Sequence, residues 1–436
     1  MTVPAVLVSL VVTLLATVTA TAAPAYARNR VTPGNFTGFG FDQCVAPTQE
    51  AMDTWLTSSP YWAVGIYIAG DSRHCGDDKQ VNLSAEWVST QLRNGWRLLP
   101  ITVGPQASCQ GRYRDKVRIS ADPDSNYAEA RAQGRTEART TVRAARRLGI
   151  RAGSTLWYDL EAFDTGRTRC RESALAFLSA WTRRLHGLDY VSGVYSSAAS
   201  GIAMLDEASV ETPRTYSMPD RVWIADWNGR ADTESIYVRP EAWTPGRRVH
   251  QYLGGHDETY GGVTINIDSN YLDLGRGSVA PRDPVHCGGV DLNRTRFRRM
   301  RQGDDGAQVK VAQCLLKGAG FYQGRLRFRY TRRTERAVTR YQDARDLPAN
   351  GRMTPRTWTA LLTEGPTPLI KVGSASHAVR RAQRALNAAI GVRLPVTGVF
   401  DASTTQAVRA YQKERHLRRT GVIAADTWAQ LRAGRR

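Results

Sequence analysis

The sequence has few of the residues that build metal and phosphate sites. It contains 6 cysteines and 7 histidines among 436 residues, without a CxxC pair or a His-rich cluster, so a structural zinc site is not expected. It also has no Gly-rich phosphate loop, which argues against a nucleotide-binding sheet. We expect neither a metal nor another cofactor.

Long apolar runs are also scarce, and the one that stands out lies at the N terminus. Its apolar part, Val6–Val18, has the length of a signal-peptide core and is too short to span a bilayer. Ala25-Tyr26-Ala27 fits a small-x-small cleavage site, although no Lys or Arg precedes the apolar part. We predict a cleaved signal peptide over residues 1–27, a secreted protein and no stable membrane anchor. A buried helix or an uncleaved anchor is the alternative.

Acidic residues are scarce in one part of the chain. Residues 283–436 include 30 basic and 11 acidic residues, a net charge of +19, whereas the preceding 282 residues have a net charge of +1. A polycationic part first suggests nucleic acid, but no nucleic-acid motif occurs and an exported protein meets little of it. We expect an anionic wall polymer as partner, through stem-peptide carboxylates or phosphate groups. A solvated Arg-rich surface is the alternative.

The neutral part alternates short β-type runs with helical patterns, which is typical of a parallel sheet. Helical patterns occur over 83–94, 127–148 and 173–186. Eight β-type runs in about 240 residues match the size of an α/β protein with a (β/α)8 TIM-like barrel, and an open doubly wound sheet is the alternative. The predicted strands are 37–42, 62–70, 96–104, 154–162, 189–197, 221–227, 248–253 and 265–273.

Acidic side chains and one glutamine fall in or near the ends of these strands. Because active sites of such barrels lie at the C-terminal ends of the strands, the acids predict one shared pocket rather than separate loop caps or structural pairs. An isolated buried carboxylate would be very costly, which also favours a shared pocket. The residues are Asp42, Asp159, Glu161, Asp226, Gln251 and Asp268.

The segment WYDLE has the most chemical content. Asp159 and Glu161 are two residues apart on one strand, so their side chains point the same way, whereas Tyr158 and Leu160 face the outer helices. Cleavage of a glycosidic bond needs two carboxyl groups, one that donates a proton and one that stabilises the cationic centre. Trp157, behind the pair, is an apolar neighbour that helps to keep one carboxyl protonated. The pair therefore predicts a glycoside hydrolase.

Five segments in a fixed order carry a family resemblance: GFGFDQC, WYDLE, VWIADW, HQY and INIDSNYLD. Over residues 36–275 they resemble the actinobacterial glycoside-hydrolase-like domain of the 1906 family of unknown function, which is related to the family 25 lysozymes. The resemblance implies that Glu161 is the general acid and that Asp159 orients an N-acetyl group or stabilises the cationic intermediate. The implied pocket consists of Asp42, Asp159, Glu161 and Asp226 as catalytic residues, completed by Gln251 and Asp268.

Aromatic residues also occur near the strand ends, where a ring can pack on the apolar face of a sugar. Aromatic residues in strands are more often core residues, so Trp227, which follows Asp226, is the one predicted with most weight as a sugar contact. Tyr252, in the HQY segment, is kept as a further substrate-binding residue. The others near strand ends are Trp157, Trp223 and Tyr67.

The cysteines divide four and two between the neutral and basic parts, which is typical of disulfides formed after export. The four in the barrel follow strands one to four, in loops on the predicted catalytic face. Neighbouring loops are closest, which favours Cys44–Cys75 and Cys109–Cys170, and Cys75–Cys109 with Cys44–Cys170 is the alternative. Cys287 and Cys314 are expected to join the start of the first helical unit to its first helix.

The basic part is an internal duplication with an offset of 70 residues. Over about 60 residues without a gap, Gln313 coincides with Gln383 and Trp358 with Trp428. Apolar residues within each unit fall at helical spacing. Each unit is therefore predicted to be a small three-helix module.

The repeated pattern resembles the peptidoglycan-binding domain 1 family over residues 301–362 and 371–432, with linkers at 276–300 and 363–370. The second copy has the family's loop, TGVFD at 397–401. The first copy has FRYT and no glycine there, so we expect the second copy to contribute most of the binding. A generic helical spacer is the alternative.

Three functions are compatible with these features. The first is a secreted, cell-wall-targeted glycoside hydrolase, lysozyme-like, that cleaves peptidoglycan or a related wall polysaccharide. The second is a non-catalytic wall- or glycan-binding protein with a hydrolase-like barrel. The third, hydrolysis of another extracellular polysaccharide, fits the binding modules less well. We expect a monomer that binds peptidoglycan or an anionic wall polymer and no nucleic acid.

Overall fold

The computed structural model describes residues 29–111 and 116–436, so the predicted signal peptide at 1–27 lies outside the described residues. The strands are β1 Phe36–Asp42, β2 Ala63–Ala69, β3 Arg97–Thr102, β4 Thr155–Asp159, β5 Val191–Ser197, β6 Arg221–Ala225, β7 Arg247–Tyr260 and β8 Val263–Leu274. The α-helices are α1 Gln49–Ser58, α2 Ala85–Asn94, α3 Asp124–Arg147, α4 Thr168–His186, α5 Ala203–Glu211, α6 Ala307–Gly318, α7 Arg332–Asp343, α8 Pro355–Leu362, α9 His377–Ile390, α10 Ala402–Glu414 and α11 Ala425–Arg432.

The eight strands close into a barrel in chain order, which confirms the predicted TIM-like architecture. One detail differs from the all-parallel arrangement that the strand-helix alternation predicted: β8 runs antiparallel to both β7 and β1. The reason is the connection, because Gly261 and Gly262 between β7 and β8 both have positive φ, which suits a tight hairpin turn. The first half of β8 therefore lies at the same end of the barrel as the last residues of β1, and Asp268 pairs with Asp42.

Alternation of side chains along the strands separates an inner from an outer core. Trp157 and Trp223 lie inside the barrel with ring centroids 5.5 Å apart. Gly193 on β5 provides the space, because a Cβ there would lie 2.4 Å from the Trp157 ring. Tyr158 points outward and its ring lies 4.9 Å from that of Phe177 on α4, as predicted for the residue between the two carboxyls.

All six cysteines form disulfides. Cys44–Cys75 joins the loops after β1 and β2, and Cys109–Cys170 joins the loop after β3 to α4. Cys287–Cys314 joins the segment before the helical modules to α6. These are the pairs that the order of the loops favoured, and the first two stiffen the C-terminal face of the barrel.

The six C-terminal helices form two three-helix modules, as predicted, with α6–α8 in the first and α9–α11 in the second. Equivalent hydrogen bonds recur in both: Gln313 Nε2 donates to Thr334 Oγ1 at 3.0 Å, and Gln383 Nε2 donates to Thr404 Oγ1 at 3.1 Å. One hydrophobic core includes residues of both modules, with α8 packed against α9. The two modules therefore form a single helical unit.

The helical unit docks on the N-terminal face of the barrel. Lys371, which is 1% exposed, donates from Nζ to the Leu56 carbonyl at 2.8 Å and lies 4.6 Å from the Trp62 ring centroid. Ser278 Oγ donates to the Gly373 carbonyl at 2.6 Å. The contact thus lies at the end of the barrel opposite to the strand ends that carry the acids. Within the described ranges, none of the helices is both long and apolar enough to cross a membrane.

Candidate active site

Four carboxyl groups meet at the C-terminal end of the barrel. Asp42 ends β1 and Asp268 faces it across the β1–β8 ladder, while Asp159 ends β4 and Glu161 follows two residues later. Burial and the charge of Asp268 raise the pKa of Asp42 to about 7. Burial, together with the charges of Glu161 and Asp42, raises the pKa of Asp159 well above its usual range. The structure thus brings four of the predicted site residues into one cluster, hereafter the carboxyl cluster.

Asp42 is held deep in this cluster by two amide groups. It is 2% exposed, and its Oδ1 accepts from Asn270 Nδ2 at 2.7 Å and from Gln251 Nε2 at 3.1 Å. Gly65 on β2 allows this close packing, because a Cβ there would lie 2.4 Å from the Asp42 Cβ. The amide donors favour the ionised form, but burial and the charge of Asp268 outweigh them.

Asp159 has an oxygen without a protein partner. It is 5% exposed, and its Oδ1 is buried and accepts no hydrogen bond from the described part of the chain. Gln106 fixes the adjacent backbone: its Nε2 donates to the Asp159 carbonyl at 3.0 Å and its Oε1 accepts from the Glu161 N–H at 2.9 Å. A buried oxygen without a protein partner, next to a fixed backbone, is available for a hydrogen bond with a substrate group.

Gln251 connects the carboxyl cluster to an exposed aromatic ring. While its Nε2 donates to Asp42, its Oε1 accepts from the Tyr195 hydroxyl at 3.0 Å and from Trp227 Nε1 at 2.9 Å. Trp227 is 66% exposed and packs on Gly254, where a Cβ would lie 2.5 Å from the indole. A fixed and exposed indole beside buried carboxyls suits the apolar face of a sugar.

The structure does not bring Asp226 into the carboxyl cluster, contrary to the prediction. Its Oδ2 accepts from Ser235 Oγ at 2.8 Å and from Asn228 Nδ2 at 3.3 Å, so it stabilises the loop after β6. The physical reason is a pair of contacts beyond the end of β6: Trp227 Nε1 donates to Gln251 Oε1 and thus points to the site, while the preceding acid points to Ser235.

Tyr252 also points away from the cluster. It follows the inward-facing Gln251 on β7, so it lies on the outer face of the strand. His250 lies on that same outer face, and the two ring centroids are 6.3 Å apart. Its hydroxyl interacts with Ser269 and Tyr61, and burial raises its pKa. The predicted role of Tyr252 as a substrate contact therefore has no geometric support.

Two polar side chains of the site, Tyr195 and Asn270, are not among the predicted residues, and a third, Tyr67, is predicted only as an aromatic residue near a strand end. Tyr195 pairs in register with Asp159, and Asn270 lies two residues after Asp268 on the same strand. The Tyr67 hydroxyl favours the ionised form of Asp42 and so acts within the site. The spacing of Asn270 from Asp268 was readable in the sequence, whereas the register that places Tyr195 beside Asp159 was not.

The cluster offers carboxylic acids as well as carboxylates near neutral pH. Buried like charges disfavour one another, so its members do not all ionise together. With a pKa of about 7, Asp42 exchanges its proton near neutrality, and burial raises the pKa of Asp159, which favours its protonated form. The site therefore presents hydrogen-bond donors and acceptors within a small volume beside Glu161.

Known families match the barrel and the helical modules separately. Residues 53–272, half of the chain, match the family described as Rv2525c-like, glycoside hydrolase-like domain. Residues 305–361 and 376–431 match the putative peptidoglycan binding domain. No curated protein sequence matches the chain.

Solved structures that resemble the chain share little sequence identity with it. An uncharacterized protein of B. stearothermophilus is 20% identical, with a TM-score of 0.35, and the match covers 54% of this chain and 95% of that one. The Mycobacterium tuberculosis Tat-secreted protein Rv2525c, in complex with L-tartrate, is 11% identical with a TM-score of 0.36, and the match covers 54% of this chain and 95% of that one. The modular autolysin LytC from Streptococcus pneumoniae is 12% identical with a TM-score of 0.33, and the match covers 54% of this chain and 46% of that one.

Proposed function

Because the chain belongs to the family of Rv2525c-like, glycoside hydrolase-like domains, we propose that it is a cell-wall glycoside hydrolase that cleaves peptidoglycan or a related wall polysaccharide. The observation that carries the proposal is the carboxyl cluster at the C-terminal end of the barrel, with an unsatisfied buried oxygen on Asp159. Cleavage of a glycosidic bond needs such paired carboxyls. The match of the helical modules to a peptidoglycan-binding family supports the wall as the place of action.

Glu161 is the proposed proton donor. It is half-buried at the rim of the cluster, and Gln106 holds its backbone in place. In the proposed reaction the Glu161 carboxyl gives its proton to the leaving oxygen, which keeps the electron pair of the broken bond. Water then adds to the sugar carbon and returns a proton to the Glu161 carboxylate, and the carboxylates of the cluster stabilise the positive charge that develops on the sugar.

Asp159 is proposed to orient the substrate rather than to act through its charge. Burial and the charges of Glu161 and Asp42 raise its pKa, which favours the protonated carboxyl. A neutral carboxylic acid donates a hydrogen bond, so Asp159 is suited to a substrate carbonyl such as that of an N-acetyl group. The unpartnered Oδ1 supports an external hydrogen-bond partner at this position.

We propose that the protein acts outside the cytoplasm. Three disulfides and two wall-binding modules support this location, since disulfides persist in oxidising compartments. The signal peptide, the domain boundaries, the monomeric state, and the lack of a nucleic-acid partner and of a cofactor stay predictions.

The test is release of soluble products from purified peptidoglycan. Since general acid catalysis contributes about 10²–10⁴-fold, Glu161→Gln should lower release by that order and leave wall binding unchanged. Asp164→Asn is the matched control, because this exposed carboxylate lies three residues further along the same loop and pairs with Arg167 at 3.2 Å. Equal release by wild type and Glu161→Gln would remove Glu161 from the mechanism.

One observation favours the alternative, a non-catalytic glycan-binding barrel. The raised pKa values of Asp42 and Asp159 suit hydrogen bonds to uncharged sugar groups as well as they suit catalysis. Wild type that binds soluble glycan fragments but releases nothing from several wall types would support this alternative and contradict hydrolysis.

A further inference from the structure

The first helical module has a cationic groove that the proposed hydrolytic function does not use. The groove lies between α7 and the loop that follows α6, with a volume of about 700 Å³. Among the described residues, neither Asp nor Glu lines it. Four arginines of α7 do so, namely Arg332, Arg333, Arg336 and Arg340.

The duplication provides an internal comparison for these arginines. At the offset of 70 residues, the second module has uncharged residues in all four positions: Ala402, Ser403, Gln406 and Ala410. Both modules nevertheless form the same three helices with equivalent buried hydrogen bonds. The arginines are therefore not required for the fold of the module.

Two of the arginines are also unfavourable for the helix that carries them. Arg332 and Arg333 lie in the first turn of α7, where the helix dipole disfavours cations. At the equivalent end of α10, Asp401 accepts from the Thr404 N–H at 2.8 Å, which is a favourable cap. Helix stability therefore does not account for the charge on α7.

The positive charge is not neutralised inside the module. Arg340 donates to the Phe321 carbonyl at 2.7 Å. The side chains of Arg332, Arg333 and Arg336 form no hydrogen bond or ion pair with any residue that the structure describes. All four side chains are exposed, so an external anion can reach them.

We propose that this groove binds a linear polymer with repeating phosphate groups. Arg332, Arg336 and Arg340 follow one another every four residues, about 6 Å along the helix axis, so they form a row of cations. A row of cations matches a chain of repeated anions better than it matches one acidic group. Guanidinium groups pair with phosphate through two parallel hydrogen bonds, and a tetrahedral phosphate has further oxygens for a second arginine.

The inference rests on the proposed wall location but not on the chemistry of the barrel. It makes the first module the anion-binding copy, whereas the intact loop motif favoured the second. In the second module, Arg384 and Arg380 lie 3.0 Å and 3.9 Å from Asp283, so part of its positive charge already faces an acid of the preceding segment.

The test is binding of the full-length protein to poly(glycerol phosphate). In the groove variant each arginine is replaced by the residue of the second module, as Arg332→Ala, Arg333→Ser, Arg336→Gln and Arg340→Ala. The same helical fold already accommodates these residues, so the variant should fold, which circular dichroism checks. We expect binding to weaken about tenfold or more, with a smaller salt dependence, because four charged contacts are lost.

A matched control removes the same charge from another exposed helix. Arg135, Arg139, Arg143 and Arg147 repeat every four residues on α3 of the barrel, and all four are exposed. Their replacement by Gln should leave binding nearly unchanged. Equal weakening by both variants would show that net charge rather than the groove binds the polymer, and the proposal would be wrong.

Two further ligands identify the anion. Poly-glutamate presents carboxylates, and vesicles of phosphatidylcholine and phosphatidylglycerol in equal parts present phosphates on a surface. We expect the groove variant to lose affinity for poly(glycerol phosphate) and not for these two. Groove-dependent binding that is stronger to either of them would overturn the assignment to a phosphate polymer. Product release from peptidoglycan, measured in parallel, reports on the hydrolase separately.

Discussion

The pH dependence of stability should report on the carboxyl of Asp42. The change is Asp42→Asn, which keeps the shape of the side chain and removes its charge. Burial and the charge of Asp268 raise the pKa of Asp42 from 3.8 to about 7. At about 1.4 kcal/mol per pKa unit, ionisation of Asp42 in the folded protein costs about 4 kcal/mol above neutral pH.

The sign of the effect follows from proton binding. Between about pH 4 and about pH 7 the folded state retains a proton on Asp42 that the unfolded state has released. The free energy of unfolding therefore falls as pH rises through this window, by up to about 1.4 kcal/mol per pH unit for this group. Asn does not ionise, so the free energy of unfolding of the variant does not fall in this way. At pH just above 7 we therefore expect the variant to be about 1–3 kcal/mol more stable than wild type.

The assay is chemical denaturation at several pH values across this window, with product release measured on the same samples. Asp42→Asn should reduce the slope of the free energy of unfolding against pH by the contribution of about one proton. Product release should fall sharply in the same samples. Asp159, whose pKa is also raised, contributes its own slope to both proteins. If the variant were less stable than wild type near neutral pH and kept the same slope, the Asp42 carboxylate would be structural and the reasoning would be refuted.

Three further changes test other parts of the structure. Trp227→Ala should weaken the binding of soluble glycan fragments about tenfold. It should not lower the stability of the protein, since the indole is 66% exposed. Unchanged affinity in a titration would exclude Trp227 as a sugar contact. Gly65→Ala should lower the free energy of unfolding by about 1–3 kcal/mol, because the new Cβ lies 2.4 Å from that of Asp42; denaturation with no loss would contradict the close packing. Burial lowers the pKa of Lys371 well below its usual range, so Lys371→Met should stabilise the protein at neutral pH by about 1–3 kcal/mol, although the Leu56 carbonyl loses its donor. That gain should shrink as pH rises toward about 10, and a gain independent of pH would contradict a charge effect.

The paired carboxyls could be predicted because a two-residue period fixes which side of a strand a residue faces. β4 ends at Asp159, and the structure still places Glu161 in the carboxyl cluster, because Gln106 Oε1 accepts from the Glu161 N–H and holds the backbone that follows the strand. The direction of β8 was harder to predict. The predicted seventh strand ends at 253, whereas β7 continues to Tyr260 through Gly, His, Asp and Glu residues, which are not typical of strands. Pairing with β8 stabilises that extension, and the sequence alone does not reveal the pairing.

The direction in which the Asp226 side chain points could not be predicted from the strand period. The prediction required that the acid rather than the neighbouring tryptophan face the site, and a slip of one residue exchanges the two. β6 ends at Ala225, so neither residue lies within the strand and no period determines the choice. Gln251 decides it, because its Oε1 accepts from Trp227 Nε1 and the acid then faces Ser235. Gln251 belongs to a different strand, so this preference is a tertiary effect.

Tertiary neighbours also distinguish the two helical modules from each other. Their shared motif ranks the second copy as the better binder, because TGVFD is complete there and FRYT is not. A motif, however, describes a module in isolation, and the structure gives the two copies different neighbours. At the start of the second module, Lys371 is buried against Leu56 of the barrel, and Arg384 pairs with Asp283. Polar groups that already have protein partners are less available to a ligand, whereas the arginines on α7 face solvent. We therefore expect the copy that departs from the motif to bind an anionic polymer more strongly than the other copy.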